Sequence, residues 1–195
     1  MEHAALHRLQ HDERRAMLLA FGREHFAHHR YGALTMQQLA DGAGVSKGLL
    51  YYYFRDMRGF YLATIATVAD DVEALIAFDA GLPLSEALRI LLRRLVAYVA
   101  ANGAIYRALV HGGLGADAEV QALVDRVRTT AGTRLAAALG LDQPTPLMQV
   151  ALPGVVSLVE QATAEWVVTG DIAQEELVHW LHTAVLTLIG TLLPH

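Results

Sequence analysis

Cysteine is absent from the 195 residues, which excludes disulfides, thiolate metal sites and cysteine nucleophiles and fits a reducing compartment. Charged residues are scarce, at 18% against 54% apolar, so the chain lacks the polar signature of disorder and can fill a core. Long hydrophobic runs are missing as well. The best stretch, Ala184 to Leu193, is about half the roughly 20 residues a bilayer span needs, and Thr187, Gly190 and Thr191 interrupt it. No N-terminal segment joins positive charge, an apolar run and a small-residue cleavage site, so a cytoplasmic protein without a membrane partner is expected. Strand-like alternation is lacking too, while Leu and Ala recur at helical spacing. The expected fold class is all-α.

The charge that is present is uneven. Residues 1–60 hold eight Arg or Lys against six acids, with six of the ten histidines; residues 61–195 hold seven basic and fourteen acidic residues. A mildly basic first third thus precedes an acidic body. Screening confines such fields to about 8–10 Å, so the local patch decides what a polyanion meets.

Caps and breakers divide the chain into about nine helices. The first runs from about Asp12 to His28. Thr35 and Gln38 form a capping box for a short helix that stops near Asp41–Gly44. Ser46 starts another short helix to about Tyr53, and Asp56 caps a long one to about Phe78. Ser85 opens a helix to about Ala101, followed by a short helix from Ala104 to His111 and the loop Gly112–Gly115. Asp117 opens the next, to about Leu139. Thr145 and Pro146 begin a helix that Pro153–Gly154 should kink or delay. Asp171 with Gln174 launches the last, to about Leu193.

Two short helices joined by a glycine-containing turn describe a helix-turn-helix. Leu39 and Ala40 can face the first helix, and Val45 and Leu50 can bury the second short helix. Ser46, Lys47, Gly48, Leu49, Tyr51, Tyr52 and Tyr53 are left pointing outward. One cation, a residue without a side chain and three phenols suit a surface pressed against DNA. Lys47 can donate to a base or phosphate, Gly48 admits the backbone, and tyrosine hydroxyls can donate to phosphate. Thr35, at a helix N-terminus, can hold an anion. Four consecutive aromatics, Tyr51 to Phe54, occupy every face of a helix, so they cannot all be core.

The run Ala43-Gly44-Val45-Ser46-Lys47-Gly48-Leu49-Leu50-Tyr51-Tyr52-Tyr53-Phe54, with Thr35, Leu39 and Ala40 before it, resembles the DNA-binding signature of the TetR family of transcriptional regulators. The resemblance covers about residues 12–65. It implies a homodimer on double-stranded operator DNA, with a DNA-binding part at residues 1–58 and a helical ligand-binding and dimerisation part at 59–195. It also implies that Thr35, Tyr51 and Tyr53 hold phosphates, that Lys47 and Gly48 lie nearest the base edges, and that Tyr52 touches backbone or base. The family usually carries a lysine where this chain has Met57, so Arg55 or Arg58 would have to replace it.

The C-terminal part is read from its surplus of apolar residues. Val156, Val159 and Trp166 on one helix, and Leu177, Trp180, Leu181, Val185 and Leu188 on the next, exceed what one core-facing stripe requires. Two-fold packing of four helices, two per subunit, would bury the excess. Polar handles for a small, mostly hydrophobic effector are Tyr98, Asn102, Tyr106, Gln149, Glu160, Gln161 and Trp166. The resulting expectation is a repressor released from a palindromic operator by that effector.

Other chemistries are weaker. His3, His7 and His11 share a helical face, but no acid joins them in ligand register, so no metal and no cofactor is expected. Asp70-Asp71-Val72-Glu73 superficially resembles a metal–diphosphate motif of helical prenyl-transfer enzymes, yet its spacing is wrong and no second motif follows. Gly112–Gly115 follows a helix and precedes no P-loop lysine. No catalytic constellation can be assembled. The rivals to an effector-released repressor are a constitutive DNA-binding dimer and a helical enzyme using the Asp70–Glu73 face.

Overall fold

The computed structural model describes residues 2–29, 31–79, 81–111, 117–141 and 143–192, with residues 2–10 in backbone only. Among them are eight helices and no strand: α1 (Glu2–His28), α2 (Met36–Gly42), α3 (Lys47–Phe54), α4 (Met57–Leu75), α5 (Leu84–His111), α6 (Ala118–Ala138), α7 (Pro146–Thr169) and α8 (Gln174–Leu192). The Gly112–Gly115 loop and the expected helix end at Leu193 lie outside the described residues.

Local chemistry sets most boundaries. Thr35 Oγ1 accepts from the Gln38 amide while the Gln38 side chain takes the Thr35 amide, completing the capping box. The side chains of Ser46, Asp56, Asp117 and Thr145 accept from first-turn amides of α3, α4, α6 and α7 as simple N-caps. Two expectations fail. The helices expected at 85–101 and 104–111 are one, because α5 continues across a kink at Asn102 (φ −126°, ψ 22°). Asp171 caps nothing: α8 begins at Gln174, with the Ala173 carbonyl accepting from Leu177 N. The α7 helix starts on time and runs through Pro153, an exposed position where water can serve the carbonyl that proline leaves unpaired.

Two hydrophobic clusters hold the chain together. The first joins Leu18, Leu39, Leu50, Phe54, Phe60 and Ile65 of α1–α4 with Ile105, Leu109, Val120 and Val124 of α5 and α6. The second is built by α5, α7 and α8 and takes Val72 and Ile76 from the far end of the α4 segment. The α4 helix therefore belongs to both, and a division after residue 58 falls in its first turn.

Between α3 and α4 the backbone turns sharply. Arg55 sits at φ 63°, ψ −47°, and the Asp56 amide donates to the Phe54 carbonyl at 2.7 Å, closing a γ-turn in its rarer positive-φ form. A side chain at this φ is strained. Arg55→Gly is therefore expected to hold or raise stability in chemical denaturation, although glycine at an ordinary helical position costs about 1 kcal/mol. A loss of that full size would contradict the strain.

Candidate nucleic-acid interface and apolar cavity

The α2–α3 unit is assembled from below. Leu39, Ala40 and Leu50 are fully buried, and Val45 is half-buried between them and solvent. The bend between the helices passes through Gly44 at φ 66°, a conformation that glycine adopts without a Cβ penalty. Lys47, Gly48, Tyr51 and Tyr52 emerge on the open side, Tyr52 being 70% exposed. Lys47 Nζ lies 5.8 Å from the Tyr51 ring centre, which keeps cation and phenol in one patch. Neither α2 nor α3 has an acid in its first turn.

Gly48 is informative because nothing among the described residues requires it. A Cβ there would meet only Ser46 Oγ, at 4.0 Å. Glycine within a helix is unfavourable relative to alanine, so its presence on an exposed face has no internal packing reason. It suits a backbone that something external approaches closely.

Tyr53 is half-buried; its ring lies 4.7 Å from His11 and its hydroxyl donates to the His11 carbonyl at 3.4 Å, tying α3 to α1. Leu49 is half-buried, and Thr35, Ser46 and Arg55 are exposed. Arg58 departs from expectation. Its guanidinium donates to both Asp117 oxygens at 2.9 Å and to Glu119 at 2.8 Å, so it clasps the acidic start of α6 instead of facing outward with Lys47.

In the body, α4 to α8 line an apolar cavity of about 100 Å³. Tyr106 and Glu160 are on its wall, joined by Arg128, which sequence reasoning missed. Arg128 Nε donates to Glu160 Oε2 at 2.8 Å and Nη2 to Oε1 at 2.6 Å. The Tyr106 hydroxyl pairs with Thr163 Oγ1 at 3.0 Å, and burial pushes the phenol up to about 12.

The family model described as "Bacterial regulatory proteins, tetR family" matches residues 18–64, and "Tetracyclin repressor-like, C-terminal domain" matches residues 84–188. The chain belongs to the TetR family of transcriptional regulators. A tetR-family transcriptional regulator from Streptomyces coelicolor superposes with TM-score 0.84 at 25% identity, over 92% of this chain and 82% of that one. A FadR from Bacillus subtilis, solved in complex with stearoyl-CoA, has TM-score 0.68 at 15% identity, over 92% and 99%; that likeness is one of fold. Over 65 residues the chain is 42% identical to the HTH-type transcriptional activator FasR of Mycolicibacterium smegmatis, which is 33% of this chain and 30% of that protein.

In this TetR-family chain the remaining candidates sort unevenly. Tyr98 and Asn102 are not on the cavity wall. Arg23 donates to Asp71 at 2.6 Å and to the Tyr98 hydroxyl at 2.7 Å, with Asn102 Oδ1 at 3.5 Å, a knot between α1, α4 and α5. Burial, with Asp71 nearby, pushes the Tyr98 phenol upward. Gln149 is exposed and donates to the Pro144 carbonyl, and Gln161 is exposed. Trp166 Nε1 donates to the Ile172 carbonyl at 2.9 Å, fastening the α7–α8 turn. Leu177, Leu181 and Val185 are buried in the protomer's own core, and Val156 and Val159 line the cavity. Of the eight side chains expected at a subunit interface, Trp180 and Leu188 are large apolar groups standing exposed, as Val150 and Val168 also are.

The acidic stretch of α4 is not a free solvated face. Asp70 and Glu73 both pair with Arg126, at 2.6 and 2.9 Å, and Asp71 with Arg23. No group of three or more His, Cys, Asp or Glu among the described residues could hold a metal ion, the His3 and His7 side chains lying outside them. No described helix is long and apolar enough to cross a membrane.

Hydrogen bonds from Arg58 hold the Asp117 carboxyl below its ordinary value. A carboxyl depressed in the folded state adds stability above its unfolded value and loses it as pH falls through the folded one. Arg58→Ala should therefore lower the unfolding temperature at neutral pH, and the gap from wild type should close in acid. A gap that persists below the carboxylate range would contradict the clasp.

Proposed function

We propose that this TetR-family regulator is a homodimeric repressor that binds a palindromic operator and releases it when a small apolar molecule enters the cavity. The observation that carries the reading is the outward face of α3, where Lys47, Gly48, Tyr51 and Tyr52 lie together and Gly48 has no internal reason to be glycine. With α3 in a major groove, Lys47 and the Gly48 backbone approach base edges, with Leu49 beside them. Thr35, Ser46 and Tyr51 take phosphates, Tyr53 does so by releasing the His11 carbonyl, and Tyr52 takes backbone or base. Arg55 replaces the family's lysine, since Arg58 is held by α6.

The two reading helices of a dimer must lie about 34–36 Å apart, or a multiple of that, to serve half-sites on one face of the duplex. Trp180 and Leu188, with Val150 and Val168, supply the apolar face for pairing α7 and α8 across a two-fold axis. Residues 1–58 read DNA and residues 59–195 pair and regulate, with α4 as the link. A coupling of about 1–3 kcal/mol would change operator affinity roughly 5- to 150-fold. A protein of this fold solved with stearoyl-CoA is consistent with an apolar effector. FasR is an activator, so the place of the operator relative to the promoter decides the sign. Reading chromosomal DNA puts the protein in the cytoplasm.

Footprinting on the intergenic DNA beside the protein's own gene supplies the operator. On it, Lys47→Ala should lose binding while the dimer persists in sedimentation, and Gly48→Ala should bind less while gaining up to about 1 kcal/mol of stability. Wild-type affinity should fall steeply with salt through counterion release. Unaltered affinity in both variants would overturn the assignment of α3.

A further inference from the structure

The cavity wall is apolar except at one place. Among its described lining side chains only Arg128 and Glu160 carry charge, and they neutralise each other through two parallel hydrogen bonds. Their surroundings differ. The Glu160 side chain keeps 12% of its exposure and has no second cation within ion-pair distance among the described residues. Arg128 keeps 34% and has another carboxylate, Asp125, 3.7 Å from Nη1.

This asymmetry decides which charge the cavity can accept. An anionic head on Arg128 would strand Glu160, a nearly buried carboxylate, without a partner, the costly outcome in a low-dielectric wall. A cationic head on Glu160 releases Arg128 toward Asp125 and water, where a long guanidinium side chain is well served. The Tyr106 hydroxyl is already occupied by Thr163, which leaves Glu160 as the group that answers a positive charge.

We propose that the cavity is a site for an apolar amine, whose ammonium takes the place of the Arg128 guanidinium on Glu160. This rests on the reading of the cavity as the effector site and adds the charge of the effector. It also gives binding a mechanical consequence. The Arg128–Glu160 pair ties α6 to α7, and α6 holds Arg58 at the start of α4 through Asp117 and Glu119. At about 100 Å³ the cavity is smaller than the roughly 150 Å³ apolar cavity known to admit benzene, so a larger ligand has to part these helices. Cutting the bridge between them is how an ammonium does so.

Titration calorimetry with octylamine, octanol and octanoate on the full chain separates the outcomes. Octylamine should bind at least tenfold tighter than the other two. Glu160→Gln should abolish that preference and leave octanol binding in place. Arg128→Met, which removes the competing cation, should strengthen octylamine binding, and it keeps the test alive if Glu160→Gln does not fold. Equal binding of the three probes, a preference for octanoate, or Arg128→Met without effect on octylamine would each overturn the amine assignment while the apolar effector site stands. No binding of any probe would overturn both.

Discussion

Phe60, Tyr61 and Ile65 hold the first half of α4 in the N-terminal cluster, while Val72, further along the same helix, and Ile76, just past its end, line the cavity. Fewer than three helical turns separate an anchor of the DNA-reading unit from the wall of the chamber. Packed helices shift between discrete arrangements and do not bend continuously, so a displacement at one end of α4 has a route to the other. Charged side chains fix the helix along its length: Arg58 to α6, Arg126 to Asp70 and Glu73, and Arg23 to Asp71. Exposed pairs of this kind add little stability one by one. Their contribution is register, because each specifies where α4 sits against a neighbour.

The distribution of charge follows from the same arrangement. The basic residues of the first third that do not face the open side of α3 are partly consumed internally, Arg23 and Arg58 among them. The acids of the body are consumed likewise, by Arg126, Arg128 and Arg93. The field near α3 therefore depends less on net charge than on the lack of acids in the first turns of α2 and α3, together with exposed Arg14, Arg15, Lys47 and Arg55. A surplus of two charges over sixty residues would be a poor guide to it.

Much of this was legible in the sequence, and the parts that were not share a cause. Capping boxes and N-caps are local, so Thr35, Ser46, Asp56, Asp117 and Thr145 mark their helices correctly, and the run from Ala43 to Phe54 identifies its unit. Asp171 misled because the capping pattern is present in sequence but the Trp166 indole holds the turn at Ile172, and the helix starts beyond it. The split expected between 101 and 104 is absent because buried Val99, Ile105 and Tyr106 carry α5 across the kink at Asn102. Long-range pairs left no trace. Arg58 with Asp117 and Arg128 with Glu160 join positions 59 and 32 residues apart, and each looks like a solvated charge in its own helix. Hydrophobicity alone does not say which of two apolar stripes a protomer uses for itself, and Leu177, Leu181 and Val185 belong to the inner one.

The absence of cysteine allows a direct test of the link between cavity and reading heads. One cysteine at Glu24, exposed on α1, would carry a spin label, and dipolar spectroscopy would report the separation of the two heads in the dimer. The measurement is made on operator-bound protein and on the Val159→Phe variant, which places a ring in the cavity. A single narrow separation on DNA and a shifted one with the cavity filled are predicted. The same separation in both, or no dipolar signal at all, would contradict a dimer whose DNA-reading geometry is set from the body through α4.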